Sequence, residues 1–209
     1  SATIDGTHSR IQFTPDLLPS DITGVNMFNQ KTGEWVFHAG PVFAEIVLAD
    51  EINRASPKTQ SALLEVMEEA QVTVDGVRRP APQPFMVIAT QNPVEQAGTY
   101  PLPEAQLDRF LMKTSIGYPS RSAMIDVLDG SASPDRSKNL KPLLSGKDIV
   151  AWAALASANH TDRAVLDYVA ALAEATREDE SSLLGVSTRG AIGMVRCARV
   201  WAAAQGRNF

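Results

Sequence analysis

The chain has one cysteine, Cys197, and three scattered histidines, His8, His38 and His160. A single thiol excludes an internal disulfide framework and any multi-cysteine metal site. It also suits a reducing compartment. The histidines show no metal-ligand spacing. No apolar run approaches the ~20 residues that span a bilayer, and no secretory signal opens the chain. An excess of positive charge is also missing, with 19 Lys and Arg against 24 Asp and Glu and a formal net charge of −5. That balance argues against nonspecific nucleic-acid binding as the main task, although a local basic patch is compatible with it. Repeats and low-complexity tracts are absent. What remains is an ordinary globular composition over 209 residues, enough for one large domain or two small ones with a real core. These features together describe a cytoplasmic globular protein.

The strongest positive signal is Ile46-Val-Leu-Ala-Asp-Glu51. A short unbroken apolar run fits a strand buried in a parallel sheet. Two carboxylates at its end would emerge at the crevice where such sheets bind ligands. A plain strand with an exposed acidic end fits the same stretch. Phe85-Met-Val-Ile-Ala-Thr90 is a second wholly apolar run, predicted to be another buried strand, and it leads into Gln91-Asn92-Pro93. Arg10–Thr14 alternates as a short strand should. The prolines of Pro15–Gly24 argue against regular structure there. Polar loops at 29–33 and at Asp75-Gly76 predict two hairpins. Ser56-Pro57 opens a helix with an N-cap and a proline at its first position. A further helix runs through Glu104–Phe110, followed by a short run to Ile116. Gly117–Ser120 is the predicted boundary, giving an α/β region 1–118 and a helical region 119–209. Helices are predicted near Ser122–Leu128, Lys147–Ala158, Asp162–Arg177 and Ser187–Gln205, with a polar loop at 131–142.

Four strings carry a specific resemblance: Phe13-Thr-Pro-Asp-Leu-Leu-Pro-Ser-Asp-Ile-Thr-Gly24, Ala49-Asp-Glu-Ile-Asn-Arg-Ala55, Ile88-Ala-Thr-Gln-Asn-Pro93 and Gly98-Thr-Tyr-Pro-Leu-Pro-Glu-Ala-Gln-Leu-Asp-Arg-Phe110. The chain resembles the MoxR family of AAA+ ATPases from about Arg10 onward, densely to Pro119 and more loosely beyond. The resemblance implies a P-loop NTPase core with a three-layer parallel sheet and a small helical lid. ATP and Mg²⁺ are the implied cofactors. It implies that Asp50 is the Walker B acid acting on Mg²⁺ through water. Glu51 is then the base or water-orienting group, and Asn92 the sensor-1 residue. Arg109 becomes an arginine finger directed at a neighbouring subunit, and Arg189 a second sensor reporting the γ-phosphate from the lid. The two hairpins resemble the helix-2 insert and the pre-sensor-1 hairpin, which either contact substrate or partner or brace a ring. Acids, an amide and two arginines are the parts that phosphoryl transfer needs, because it depends on positioning and charge neutralisation.

Plainer roles fit some of these residues. Arg109 suits an ion pair with a nearby carboxylate. Arg189, Arg196 and Arg199 share roughly one helical side and suit a solvated face. Asn92 suits a turn. Arg54 and Lys58 suit either a neighbour or bare surface. Cys197 sits in an apolar helical pattern and is expected to be a packing residue.

The family's phosphate loop, G-x-x-x-x-G-K-[ST], matches none of the 13 glycines. Its backbone N–H groups and lysine cradle the phosphates. The chain is therefore expected to be an internal segment of a longer protein, binding ATP poorly and not hydrolysing it alone. The resemblance implies a parent protein that remodels or matures clients as a homo-oligomer, with a hexameric ring as the family expectation and von Willebrand factor A-domain proteins as partners. The competing readings are a non-hydrolysing AAA+-scaffold interaction module and a related motor, such as a magnesium-chelatase-like subunit or an MCM-like helicase.

Overall fold

The computed structural model describes residues 3–92, 98–130 and 140–207. Its centre is a three-stranded parallel sheet in the order β2 (His8–Gln12), β5 (Ile46–Asp50), β8 (Met86–Ala89). The register sets Gln12 beside Asp50 and Ala49 beside Ala89. Val47 and Ala49 of β5 are fully buried, as its apolar run requires. The second apolar run behaves differently, because Met86 and Ile88 are exposed by 54% and 45%. As an edge strand, β8 buries only one face, with Val87 and Ala89 packed toward the core.

The helix α2 (Pro57–Glu69) starts as the sequence implies. The Ser56 hydroxyl accepts the Thr59 amide, and Pro57 occupies the first turn. Leu63, Leu64 and Val66 form its buried stripe. The prolines of 15–24 do not exclude helix, since α1 (Pro19–Thr23) uses Pro19 at its first position. Asp21 then caps it by accepting the Leu18 amide at 2.8 Å.

Both hairpins are present, as β3 (Gly24–Asn29) with β4 (Glu34–Ala39), and β6 (Gln71–Val74) with β7 (Val77–Pro80). Asp75 and Gly76 take φ of 49° and 76°, the left-handed pair a tight hairpin turn demands. The hairpins are tied together where Asn26 Nδ2 donates to Asp75 Oδ2 at 2.6 Å. The Arg79 guanidinium also lies 3.7 Å from the Phe37 ring centre.

The predicted helix through Phe110 is shorter, α3 (Glu104–Leu107), and continues as single turns to Phe110. The run to Ile116 forms no regular secondary structure and is exposed from Leu111 onward. Beyond it lie α4 (Arg121–Leu128), α5 (Gly146–Ser157), α6 (Arg163–Glu178) and α7 (Thr188–Ala204). α7 packs on α5 and α6. One two-residue strand, β9 (Leu144–Ser145), pairs in parallel with β1 (Ile4–Asp5) and joins the helical region to the first residues. It is too short to produce an alternating pattern. At this joint a Cβ on Gly146 would fall 2.3 Å from Glu45 Oε1, so a larger residue there would require the Glu45 side chain to move.

The core is confined to the first half. Its buried members run from Ile11 to Leu102. Beyond Leu102, the buried apolar residues among those described are Ala156, Ala173 and Ala202. The accessible surface is 15050 Å², against ~9,500 Å² for a compact monomer of this mass. Large apolar side chains are uncovered in both regions, among them Trp35, Ile116, Tyr118, Trp152 and Trp201.

Candidate functional site

Asp50 ends β5, between two neighbours that each reach its carboxylate. From β8 the Thr90 hydroxyl donates to Oδ1 at 2.5 Å, and from β2 Arg10 Nη2 lies 2.5 Å from Oδ2. The Thr90 hydroxyl, then Arg10, hold the Asp50 carboxyl below the usual carboxylate range. Asp50 is therefore charged at neutral pH. A charged, partly exposed oxygen donor at the carboxyl end of a central parallel strand is the hard ligand that Mg²⁺ takes alongside waters and phosphates. No group of three His, Cys, Asp or Glu able to hold a metal ion occurs among the described residues. The Asp50 carboxylate is an oxygen donor of the kind a magnesium ion takes.

Glu51 leaves the strand with φ 55° and ψ 48°, a left-handed conformation that non-glycine residues rarely adopt. Strain of this kind, of order ~1–3 kcal/mol, persists only where surroundings impose it. The surroundings here are explicit. The Glu51 amide donates to Thr90 Oγ1 at 2.9 Å, and the Ile52 amide donates to the Thr90 carbonyl at 3.0 Å. Glu51 Oε2 accepts from Gln12 Nε2 at 3.0 Å and from Arg54 at 3.2 Å. The following 3₁₀ turn, Ile52–Arg54, is anchored by buried Gln60. Its Nε2 lies within 3.1 Å of the Ile52 and Ala55 carbonyls and 2.9 Å from that of Tyr100.

Asn92 stands at the same end of the sheet. Its carbonyl accepts from Asn53 Nδ2 at 3.3 Å, while Pro93 lies outside the described residues. Asp50 and Glu51 are thus joined to Thr90 at the strand ends, and Asn92 lies against the Ile52–Arg54 turn through Asn53.

Arg109 and Arg189 form a second cluster. Arg109 Nη2 lies 3.1 Å from Glu68 Oε2, and Arg189 Nη2 lies 2.5 Å from Glu68 Oε1. Arg189 also approaches Asp108 Oδ2 at 3.5 Å. The Ser187 hydroxyl donates to Asp108 Oδ1 at 2.7 Å and accepts the Gly190 amide, capping α7. The carboxylate partner that Arg109 suited on sequence grounds is therefore real. Arg189 is not part of a bare solvated face, and Arg199 bonds the Thr161 hydroxyl. Arg54 pairs with Glu51, Lys58 is exposed and Cys197 is half-buried.

Sequence reasoning missed Arg10, Gln12 and Thr90 around the acids. Thr90 had a signal, as the first polar residue after an all-apolar strand. Glu68 and Asp108 had none, because their partners are 121 and 81 residues away.

Residues 1–112 match the ATPase family associated with various cellular activities, and residues 174–209 match the AAA lid domain. The chain is 48% identical over 206 residues to the uncharacterized protein YeaC of Bacillus subtilis, covering 99% of this chain and 64% of that protein. It is 43% identical over 216 residues to chaperone MoxR1 of Mycobacterium tuberculosis, covering 99% of this chain and 56% of that one. A crystal structure of a candidate ATPase from Cytophaga hutchinsonii aligns with TM-score 0.86 at 41% identity, covering 99% of this chain and 66% of that one. The chain thus spans less than two thirds of the length of these two relatives. With the α/β core, the helical lid and these likenesses in agreement, the chain belongs to the MoxR family of AAA+ ATPases.

Proposed function

We propose that these residues belong to an ATP-hydrolysing, MoxR-type ATPase that couples nucleotide turnover to the remodelling or maturation of client proteins. The carrying observation is the acid pair at the end of the central strand. One acid is held ionised by Thr90 and Arg10, and the other is turned out of the strand by a left-handed backbone. Asp50 would hold magnesium through its water shell, and the bound metal would neutralise charge on the phosphoryl group being transferred. Glu51 orients the attacking water or accepts its proton, with Gln12 and Arg54 fixing its carboxylate. Asn92 offers an amide to the terminal phosphate or to that water. Arg109 acts as an arginine finger on the nucleotide of a neighbouring copy in a ring, and Arg189 as a sensor of the γ-phosphate from the lid; their sharing of the Glu68 carboxylate supports a common function.

A hexameric ring, protein clients, a von Willebrand factor A-domain partner and a cytoplasmic setting belong to this proposal. So does the assignment of residues 1–118 to the core and 119–209 to the lid. No helix among the described residues is long and apolar enough to cross a membrane. The 209 residues contain no phosphate loop, so they are expected not to hydrolyse ATP on their own. The competing reading is a non-hydrolysing interaction module that keeps the AAA+ scaffold. Reading the whole gene product for G-x-x-x-x-G-K-[ST] between a strand and a helix separates the two.

The direct test is Glu51→Gln in the whole protein. The substitution keeps size and hydrogen bonding and removes the charge. Steady-state ATP turnover should fall ~10²–10⁴-fold with nucleotide still bound. Unchanged turnover would remove Glu51 from the mechanism.

A further inference from the structure

Glu68, at the end of α2, gives one oxygen to each of two guanidiniums. Among the described residues, its carboxylate bonds these two arginines and nothing else. No hydroxyl or amide tethers it. Asp108 differs, because the Ser187 hydroxyl holds its other oxygen. The two acids and two arginines sum to zero charge, so the cluster is closed as it stands. It is not fully satisfied, since Arg109 Nε is buried without a partner. Glu68 also has room to leave. It lines an open polar cavity of about 450 Å³, with Glu65, Gln71, Arg78 and Arg109 among the other walls. A carboxylate that bridges two guanidiniums has the charge and the oxygen donors of a phosphate doing the same.

From this arrangement we infer that Glu68 is a placeholder for a polyphosphate oxyanion. Together with Asp108 it keeps the charges of Arg109 and Arg189 balanced until the terminal phosphates of a nucleotide replace it. The inference rests on the nucleotide reading above. Glu68 touches no substrate in this scheme. It is a positioning residue that sets how much anion affinity the two arginines can express. A closed state of this kind lowers apparent affinity by the fraction of molecules that are open.

The test uses the whole protein and inorganic tripolyphosphate, with Glu68→Gln and Glu68→Ala as independent variants. Both should bind tripolyphosphate about three- to tenfold more tightly than the parent, and the KM for ATP should fall by a similar factor. The gain should vanish when Arg109→Ala and Arg189→Ala are added. Damage to packing would weaken binding, so the sign of the change separates the placeholder from a merely structural role. Weaker or unchanged binding in both variants, with cooperative melting retained, overturns the inference, as does a gain that survives loss of both arginines. A protein that shows the arginine-dependent gain but hydrolyses no ATP supports the placeholder and overturns the ATPase reading instead.

Discussion

The acid cluster and the arginine cluster are built by different means. Asp50 meets Thr90 because adjacent parallel strands end at one level, while Arg10, paired with Leu48 on the neighbouring strand, reaches Asp50 with its long side chain. Arg109 and Arg189 meet at Glu68 because the turn after α3 and the first turn of α7 converge on α2. The first site sits over a dense core running from Ile11 to Leu102. The second spans to a helical region whose buried apolar residues, among those described, are three alanines. The first is therefore a fixed feature of the sheet. The second is a joint held by partly exposed ion pairs, each worth roughly 0–1 kcal/mol and screened by salt. On the proposed reading, a rigid half would hold the metal and water and the other half would keep its charges in reserve, a physically sensible division for a reaction completed between subunits.

The largest effect should come from removing the charge that the second half is proposed to deliver. Arg109→Ala in the whole protein is expected to lower turnover ~10³-fold or more, while nucleotide affinity measured by equilibrium binding stays within a few-fold. An equal loss of binding would place Arg109 in its own subunit's site and collapse the contrast between the two halves.

Legibility in the sequence follows the same division. The apolar run ending at Asp50-Glu51 and the Ser56-Pro57 helix start were readable, because strand ends and caps depend on neighbours a few residues away. The burial of β8 was misjudged, since an all-apolar run does not reveal whether the strand is central or at an edge. The helix at Pro19 was hidden because proline in a first turn looks, in sequence, like a breaker. Glu68 was invisible because its meaning comes only from two arginines distant in the chain. The family resemblance singled out Arg109 and Arg189 as candidate functional residues, but not the carboxylate that holds them.

A smaller effect is expected at Thr90, which serves both acids. Thr90→Val removes the donor to Asp50 and the acceptor for the Glu51 amide. At pH 7 the loss of unfolding free energy should be about 1–3 kcal/mol, the cost of a partly buried polar group left unpaired. Its pH dependence has a definite sign. The folded Asp50 carboxyl titrates below its unfolded value, so its contribution is present above the unfolded pKa of about 3.9 and is lost as pH falls through the lower folded pKa. Denaturant melts should therefore show the gap between parent and variant narrowing below about pH 4. The share owed to the Glu51 amide persists. A gap that widens on acidification would mean that Thr90 does not stabilise the ionised form.

The smallest change tests the joint itself. The Ser187 hydroxyl caps α7 by accepting the Gly190 amide at 2.9 Å and tethers Asp108 by donating at 2.7 Å. Ser187→Ala should cost about 1 kcal/mol, as for a lost N-cap. Glycine restores most of a cap, leaving a cost of only a few tenths of a kcal/mol, but it cannot hold Asp108. If capping dominates, Ser187→Gly melts close to the parent. If the tether matters equally, glycine melts clearly below the parent and alanine lower still, and the Asp108 carboxylate loses its hydroxyl tether in both. The second outcome would mean that this joint is held as firmly as the acid cluster. The first would confirm that α7 is stabilised locally and only lightly fastened to the core.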